Sequence, residues 1–260
     1  MVPSLPERDR MSFDPIVPRA RLGFIIPSSN RMVEPQMQSR APDGVAVHFT
    51  RVGMTNRHRA PLEQLIPRIA DAAGLLGDSK CDVIVLQCTG TSMSGGMDGE
   101  RAAIAAMEAA AGRPAATTSS CLQAALAALS ARRLVFVSET AQAAHDRKKA
   151  FLTEAGYEVV ADRAMALSGS DAYCSTPPEF WLENVRALRD DRADAYFVSC
   201  ANIRAIDVIA ALEAALERPV VTSNQVALWC ALRIAGQDDE VPGLGRLFAQ
   251  RLPGGAAAAQ

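Results

Sequence analysis

The sequence has no uninterrupted apolar run of about 18 residues, so no membrane-spanning helix is expected. It has no surplus of either charge: 27 Lys and Arg stand against 29 Asp and Glu, a net charge of −2. With no basic excess to neutralise a phosphate backbone, nucleic acid is not an expected partner. Only three histidines are present (His48, His58 and His145), and no two of the six cysteines form a CxxC pair. A zinc site of familiar spacing is therefore not expected, nor is another metal. The glycines of GTSMSGGMDG at 90–99 lack the spacing of a phosphate-binding loop, so no nucleotide cofactor is implied. The N-terminal MVPSLPERDRMSFDPIVPRA mixes charges and prolines without an apolar core and does not read as a secretory signal. The expected location is cytoplasmic, where free thiols stay reduced.

What is present is an ordinary globular composition, 49% apolar and 22% charged over 260 residues, enough chain to bury a sizeable core. Short β-branched runs alternate with alanine-rich helical stretches. Strands are expected at 22–26, 45–51, 83–87, 115–117, 134–138, 158–161, 195–199 and 220–222. Helices are expected at 62–76, 99–111, 122–129, 143–155, 178–189, 203–216 and 226–235. That alternation means α/β with a mainly parallel sheet.

The chain also repeats itself. LGFIIPSSN, VIVLQCTG and RPAATTSS in the first half answer to LVFVSETA, YFVSCANI and RPVVTSNQ in the second. Ile26 lies 62 residues before Cys88, and its counterpart Val137 lies 63 before Cys200. The expected architecture is two pseudo-symmetric lobes, each a mainly parallel sheet flanked by helices, with the active site between them. Residues 21–131 form the first lobe, on which the last helix of the chain can pack back, and 132–250 form the second. Residues 1–20 read as a flexible extension and 251–260 as a tail.

Ligands of parallel sheets gather at strand C-terminal ends. Cys88 and Cys200 each stand at such an end, before small polar turns whose amides can hold an anion or lower a thiol pKa. A lone cysteine there is commonly just a small hydrophobe; two at matching repeat positions point to chemistry. Of the others, Cys121 and Cys230 read as packing residues, Cys81 as structural or exposed, and Cys174 as a loop residue of no legible role. The Ser/Thr/Asn runs at 27–30, 117–120 and 222–224 suit helix capping and carboxylate binding alike. Arg51, Arg57, His58 and Arg59 read as a solvated face. So do His145, Asp146, Arg147, Lys148 and Lys149, which gives no support for a Cys–His couple.

The motifs Leu22–Asn30, Cys88-Thr-Gly-Thr-Ser92, Ser199-Cys200-Ala-Asn202, Pro219–Gln225 with Trp229, and Pro242–Phe248 resemble the aspartate/glutamate racemase superfamily. The similarity is greatest to its maleate cis-trans isomerases and arylmalonate decarboxylase, and it covers nearly the whole chain after residue 20. The resemblance implies a cofactor-independent isomerase with catalytic Cys88 and Cys200 acting on a small dicarboxylate. It implies a substrate site of Pro27, Asn30, Thr89, Gly90, Ser120, Thr140, Ala201 and Asn202, and a homo-oligomer, dimer or tetramer. Other branches stay open. Arylmalonate decarboxylase lacks the first cysteine. The amino-acid racemases carry an aspartate after the first strand and a histidine after the second cysteine, where this chain has Pro-Ser-Ser-Asn and Ala201. The isomerases often carry a tyrosine where Thr140 stands, which leaves room for a bulkier diacid. A non-catalytic diacid-binding protein is the remaining alternative.

Overall fold

Each expected strand forms, and the strands make two separate four-stranded sheets. The computed structural model describes residues 18–253. Residues 1–17 of the expected extension and 254–260 of the expected tail lie outside the described residues.

The first lobe runs β1 (Ala20–Pro27), α1 (Val33–Arg40), β2 (Val45–Val52), α2 (Leu62–Asp78), β3 (Val83–Leu86), α3 (Thr89–Met93), α4 (Gly96–Ala111), β4 (Ala115–Thr117) and α5 (Thr118–Ala128). The second runs β5 (Arg133–Ser138), α6 (Gln142–Glu154), β6 (Glu158–Ala164), α7 (Gly169–Ser175), α8 (Pro178–Arg186), β7 (Ala195–Val198), α9 (Ile209–Leu216), β8 (Val220–Thr222) and α10 (Ser223–Ile234). The sheets have the same order, β2-β1-β3-β4 and β6-β5-β7-β8, and every pairing is parallel. Central strands β3 (VIVL) and β7 (AYFV) are buried at every position, as expected for strands covered on both faces. On α2 the buried residues Leu62, Leu65, Ile69, Ala73 and Leu76 recur every three or four positions, so one stripe faces the sheet.

The repeat extends to single hydrogen bonds. Asp82, just before β3, accepts from the Arg21 amide at 2.7 Å. Asp194, just before β7, accepts from the Arg132 and Arg133 amides at 3.0 and 2.8 Å. Each aspartate clamps a central strand to its neighbour and fixes the register. The two polar runs 117–120 and 222–225 form capping boxes: Thr117 accepts from the Ser120 amide, Thr222 from the Gln225 amide. The helices so started, α5 and α10, pack against each other, and α10 also lies on β1 and β3. One apolar core thus runs through both lobes.

Three helices were not expected: α1, α3 and α7, built from polar or Ser/Thr/Gly-rich sequence that reads as turn. Cys174 consequently sits on α7 rather than in a loop. The helix expected over 203–216 divides into a 3₁₀ turn at Ala205–Val208 and α9. Cys81 is fully buried, and burial pushes its thiol up to about 11. Among the described residues, no helix is long and apolar enough to cross a membrane.

Candidate active site

The C-terminal ends of β1, β3, β5 and β7 converge on one cavity of about 540 Å³. Pro27 ends β1 and Asn30 follows it, Cys88, Thr89, Gly90 and Thr91 follow β3, Glu139 and Thr140 follow β5, and Cys200, Ala201 and Asn202 follow β7. Cys88 and Cys200 each stand two residues past the last residue of their strand, so equivalent strands deliver both thiols to one space.

A buried polar lattice beneath the cavity locks the two cysteine loops together. The Cys200 amide donates to Ser223 Oγ at 3.0 Å, and Thr89 Oγ1 donates to the same oxygen at 2.8 Å. Gln87 donates to the Ser223 carbonyl and to Asn224 Oδ1, at 3.0 and 2.8 Å. Cys200 has φ +116°, a region that non-glycine residues rarely occupy. Such a conformation persists only where surrounding bonds over-determine it, and this lattice supplies them.

Asn30 is buried and ties the lobes. Its Nδ2 donates to the Ala201 carbonyl at 3.0 Å, and its Oδ1 accepts from the Met32 and Val33 amides at 3.0 and 2.9 Å. A carboxamide has two N–H donors, so one is left for the cavity that Asn30 lines. Asn202 Oδ1 accepts from the Arg31 amide at 2.8 Å and from the Cys174 thiol at 3.3 Å, while the Asn202 amide points at Cys200 Sγ, 3.3 Å away.

The two thiols differ in setting. Burial pushes Cys88 up, and the Thr91 hydroxyl (3.1 Å from Sγ), the Thr91 amide and the Lys148 charge pull it back. Burial pushes Cys200 well above the usual thiol range, Glu139 adds to the effect, and Lys148 and the Asn202 amide oppose it. Tyr173, from α7, is pushed up to about 12 by burial and by the Glu139 and Cys200 negative charges.

Of the residues expected in the site, all line the cavity except Ser120. The Ser120 hydroxyl accepts from the Thr117 amide at 2.9 Å in the α5 capping box, so it serves the helix and not a ligand. The charged run of α6 is a solvated face only in part: Asp146 and Arg147 are exposed. His145 and Lys148 are buried, and Arg147 and Lys148 line the cavity. His145 stacks on Phe136 (centroids 4.5 Å apart) and bonds Ser138 at 2.7 Å and Asp162 at 2.9 Å. Lys148 donates to both Glu139 oxygens, at 3.1 and 2.9 Å, and to Ser199 Oγ at 3.1 Å. Arg59, expected on a solvated face, also lines the cavity. The signal for α6 was helical spacing: His145 and Lys148 share a face with Phe151 and Leu152, which bury together. For Glu139 the only signal was its place beside Thr140 at a strand end.

Two parallel α/β lobes thus share a cavity lined by one cysteine from each. The chain matches the family described as arylmalonate decarboxylase over residues 22–248 and belongs to that family. It is 27% identical to arylmalonate decarboxylase of Bordetella bronchiseptica over 232 residues, covering 87% of this chain and 95% of that one. It is 28% identical to maleate isomerase of Nocardia farcinica over 248 residues, covering 88% and 96%. Among solved structures, a maleate isomerase of Pseudomonas putida S16 with maleate superposes with TM-score 0.82 at 23% identity, covering 88% of this chain and 97% of that one. These relatives are enzymes, isomerases and a decarboxylase, and so is this chain.

Proposed function

We propose that the chain is a cofactor-independent isomerase of a small unsaturated dicarboxylate, with Cys88 as nucleophile and Cys200 as acid–base partner. The observation that carries the reading is the pair of thiols at matching strand ends on one cavity. Arylmalonate decarboxylase, by the resemblance, lacks the first of them. Related enzymes support it: a maleate cis-trans isomerase of Nocardia farcinica was solved with a covalently bound succinylcysteine intermediate.

The chemistry follows from the groups present. As thiolate, Cys88 adds to one alkene carbon: a C–S bond forms, the π bond opens, and the electron pair moves toward the neighbouring carboxylate. Cys200, kept as a thiol by burial and by Glu139, gives its proton to the second carbon. The C–C bond, now single, rotates. Cys200 then takes the proton back and Cys88 leaves, restoring the alkene in the other geometry. The free N–H of Asn30, the Thr140 hydroxyl and the amides of Thr89 and Gly90 offer the donors that an enediolate-like intermediate needs. Neutral donors suit a chain with no basic surplus.

A second reading, decarboxylation of a substituted malonate, is favoured by one observation: part of the cavity is apolar, lined by Met54, Leu62, Met93 and Tyr173. That reaction needs only Cys200 as proton donor. An NMR panel of maleate, citraconate, arylmalonates and amino acids in D₂O separates the readings. Interconversion of an alkene diacid, lost in both Cys88→Ser and Cys200→Ser, supports the isomerase. Release of CO₂ from a malonate that survives Cys88→Ser supports the decarboxylase, and deuterium entering an sp³ α-carbon of an amino acid supports a racemase.

A further inference from the structure

Glu139 and Lys148 form a buried ion pair in the cavity wall, each side chain only 6% exposed. A buried pair is costly to desolvate and gives little net stability, so its place in a cavity wall asks for another reason. This one is placed against the second cysteine. Lys148, from α6, holds both oxygens of Glu139 and reaches Ser199 Oγ, on the residue next to Cys200. Ser199 is itself fully buried, its amide held by the Val137 carbonyl at 2.8 Å, so the pair is anchored to the strand end that carries Cys200.

We propose that Glu139 and Lys148 are positioning residues that govern proton transfer at Cys200, the carboxylate favouring the thiol and the ammonium compensating the thiolate. This rests on the reading of Cys200 as the acid–base partner. When Cys200 protonates the adduct carbon, its S–H bond breaks and a C–H bond forms. The electron pair stays on sulfur, and nothing is oxidised or reduced. The negative charge so formed lies on the residue next to Ser199, which Lys148 holds, while Glu139 makes the thiolate a stronger base that recaptures the proton before elimination. Both charges also act on Cys88, but there the Thr91 hydroxyl and amide weigh more, whereas at Cys200 Glu139 is the largest influence after burial.

The other titratable groups lining the cavity are Cys88 at the start of α3, Tyr173 from α7, Arg147 beside Lys148 on α6, and Arg59 and Glu63 near the start of α2. Tyr173 is pushed up to about 12 by burial and by the Glu139 and Cys200 charges.

The test reads Cys200 directly. In a Cys88→Ser background, alkylation by iodoacetamide is followed against pH, and tryptic cleavage after Arg192 and Arg204 isolates the Cys200 peptide from that of Cys174. Glu139→Gln should lower the midpoint for Cys200 and Lys148→Met should raise it, each by about one pH unit or more. The Glu139→Gln/Lys148→Met double variant should return close to the parent. Glu139→Asp keeps both charges, draws the carboxylate back by one methylene, and should shift the midpoint down by less. It stands in if Glu139→Gln does not fold. Midpoints that coincide in all variants, or single variants that move it in the same direction, overturn the proposal. No substrate enters this assay, so a failure of the isomerase reading leaves its outcome standing, and a flat result leaves diacid turnover untouched.

Discussion

Replacing Ser223 by alanine should cost both stability and turnover, because one hydroxyl joins the two halves of the site. Ser223 Oγ accepts from the Cys200 amide at 3.0 Å and from Thr89 Oγ1 at 2.8 Å, and Ser223 is fully buried. Removing it strands two donors. An unsatisfied buried donor costs about 1–3 kcal/mol, so the expected loss for two is about 2–6 kcal/mol, toward the lower end where Thr89 finds a new acceptor. For a chain of this size each kcal/mol moves Tm by about 2–4 °C. The loss of the amide bond also frees Cys200 from its φ of +116°, so its sulfur should drift from Cys88. A misplacement of about 1 Å can cost ~100-fold in rate. Guanidinium denaturation gives the first number and kcat on the diacid gives the second. Ser223→Thr, which keeps the hydroxyl, should restore most of both if its methyl is accommodated. Stability within about 0.5 kcal/mol of the parent, with kcat unchanged, would refute the claim that this lattice sets the cysteine geometry.

Other outcomes follow from single contacts. Asn30→Ala removes the acceptor of the Met32 and Val33 amides and the bond to Ala201; KM for a diacid should rise by about tenfold, the equivalent of one hydrogen bond to a charged group, read by steady-state kinetics. Phe136→Ala deletes a fully buried ring stacked on His145 and Phe197 and should cost about 3–5 kcal/mol in chemical denaturation. Thr222→Ala loses the α10 N-cap and should cost about 1 kcal/mol in the same assay. Asp194 is held at about 2 by the Arg133 guanidinium and by the Arg132 and Arg133 amides, against an ordinary value of 3.8. A carboxylate with a depressed folded-state pKa stabilises above its unfolded value and loses that contribution as pH falls through the folded one. The Tm difference between parent and Asp194→Asn should therefore be full at pH 5, shrink between about 4 and 2, and be smallest at the acid end. A difference that is constant with pH would show that the charge is not responsible.

The strands were legible because a strand covered on both faces must be almost wholly apolar, and VIVL and AYFV are. The repeat was legible because equivalent lobes need equivalent strand ends, which is also why Cys88 and Cys200 stood out from six thiols. The short helices α1, α3 and α7 were not, since polar residues and glycine near a strand end suit a turn equally well, and tertiary context chooses between them. Ser120 falls outside the cavity for a related reason: Ser and Thr after a strand suit capping and ligand binding with the same hydroxyl, and here it caps α5. Glu139 and Lys148 were invisible because composition places a lone Glu and a lysine-rich run on the surface. Each becomes buried only because the other is there, nine residues away on the next helix.

The central claim is that Cys88 bonds covalently to an unsaturated diacid while Cys200 moves the proton. Intact-protein and peptide mass spectrometry of the Cys200→Ser variant, quenched with maleate or citraconate present, tests it most directly. The expected result is a mass increase of one diacid on the Cys88 peptide, absent from a Cys88→Ser/Cys200→Ser control. Full turnover by the Cys88→Ser enzyme, with no adduct on the Cys88 peptide, would contradict the account.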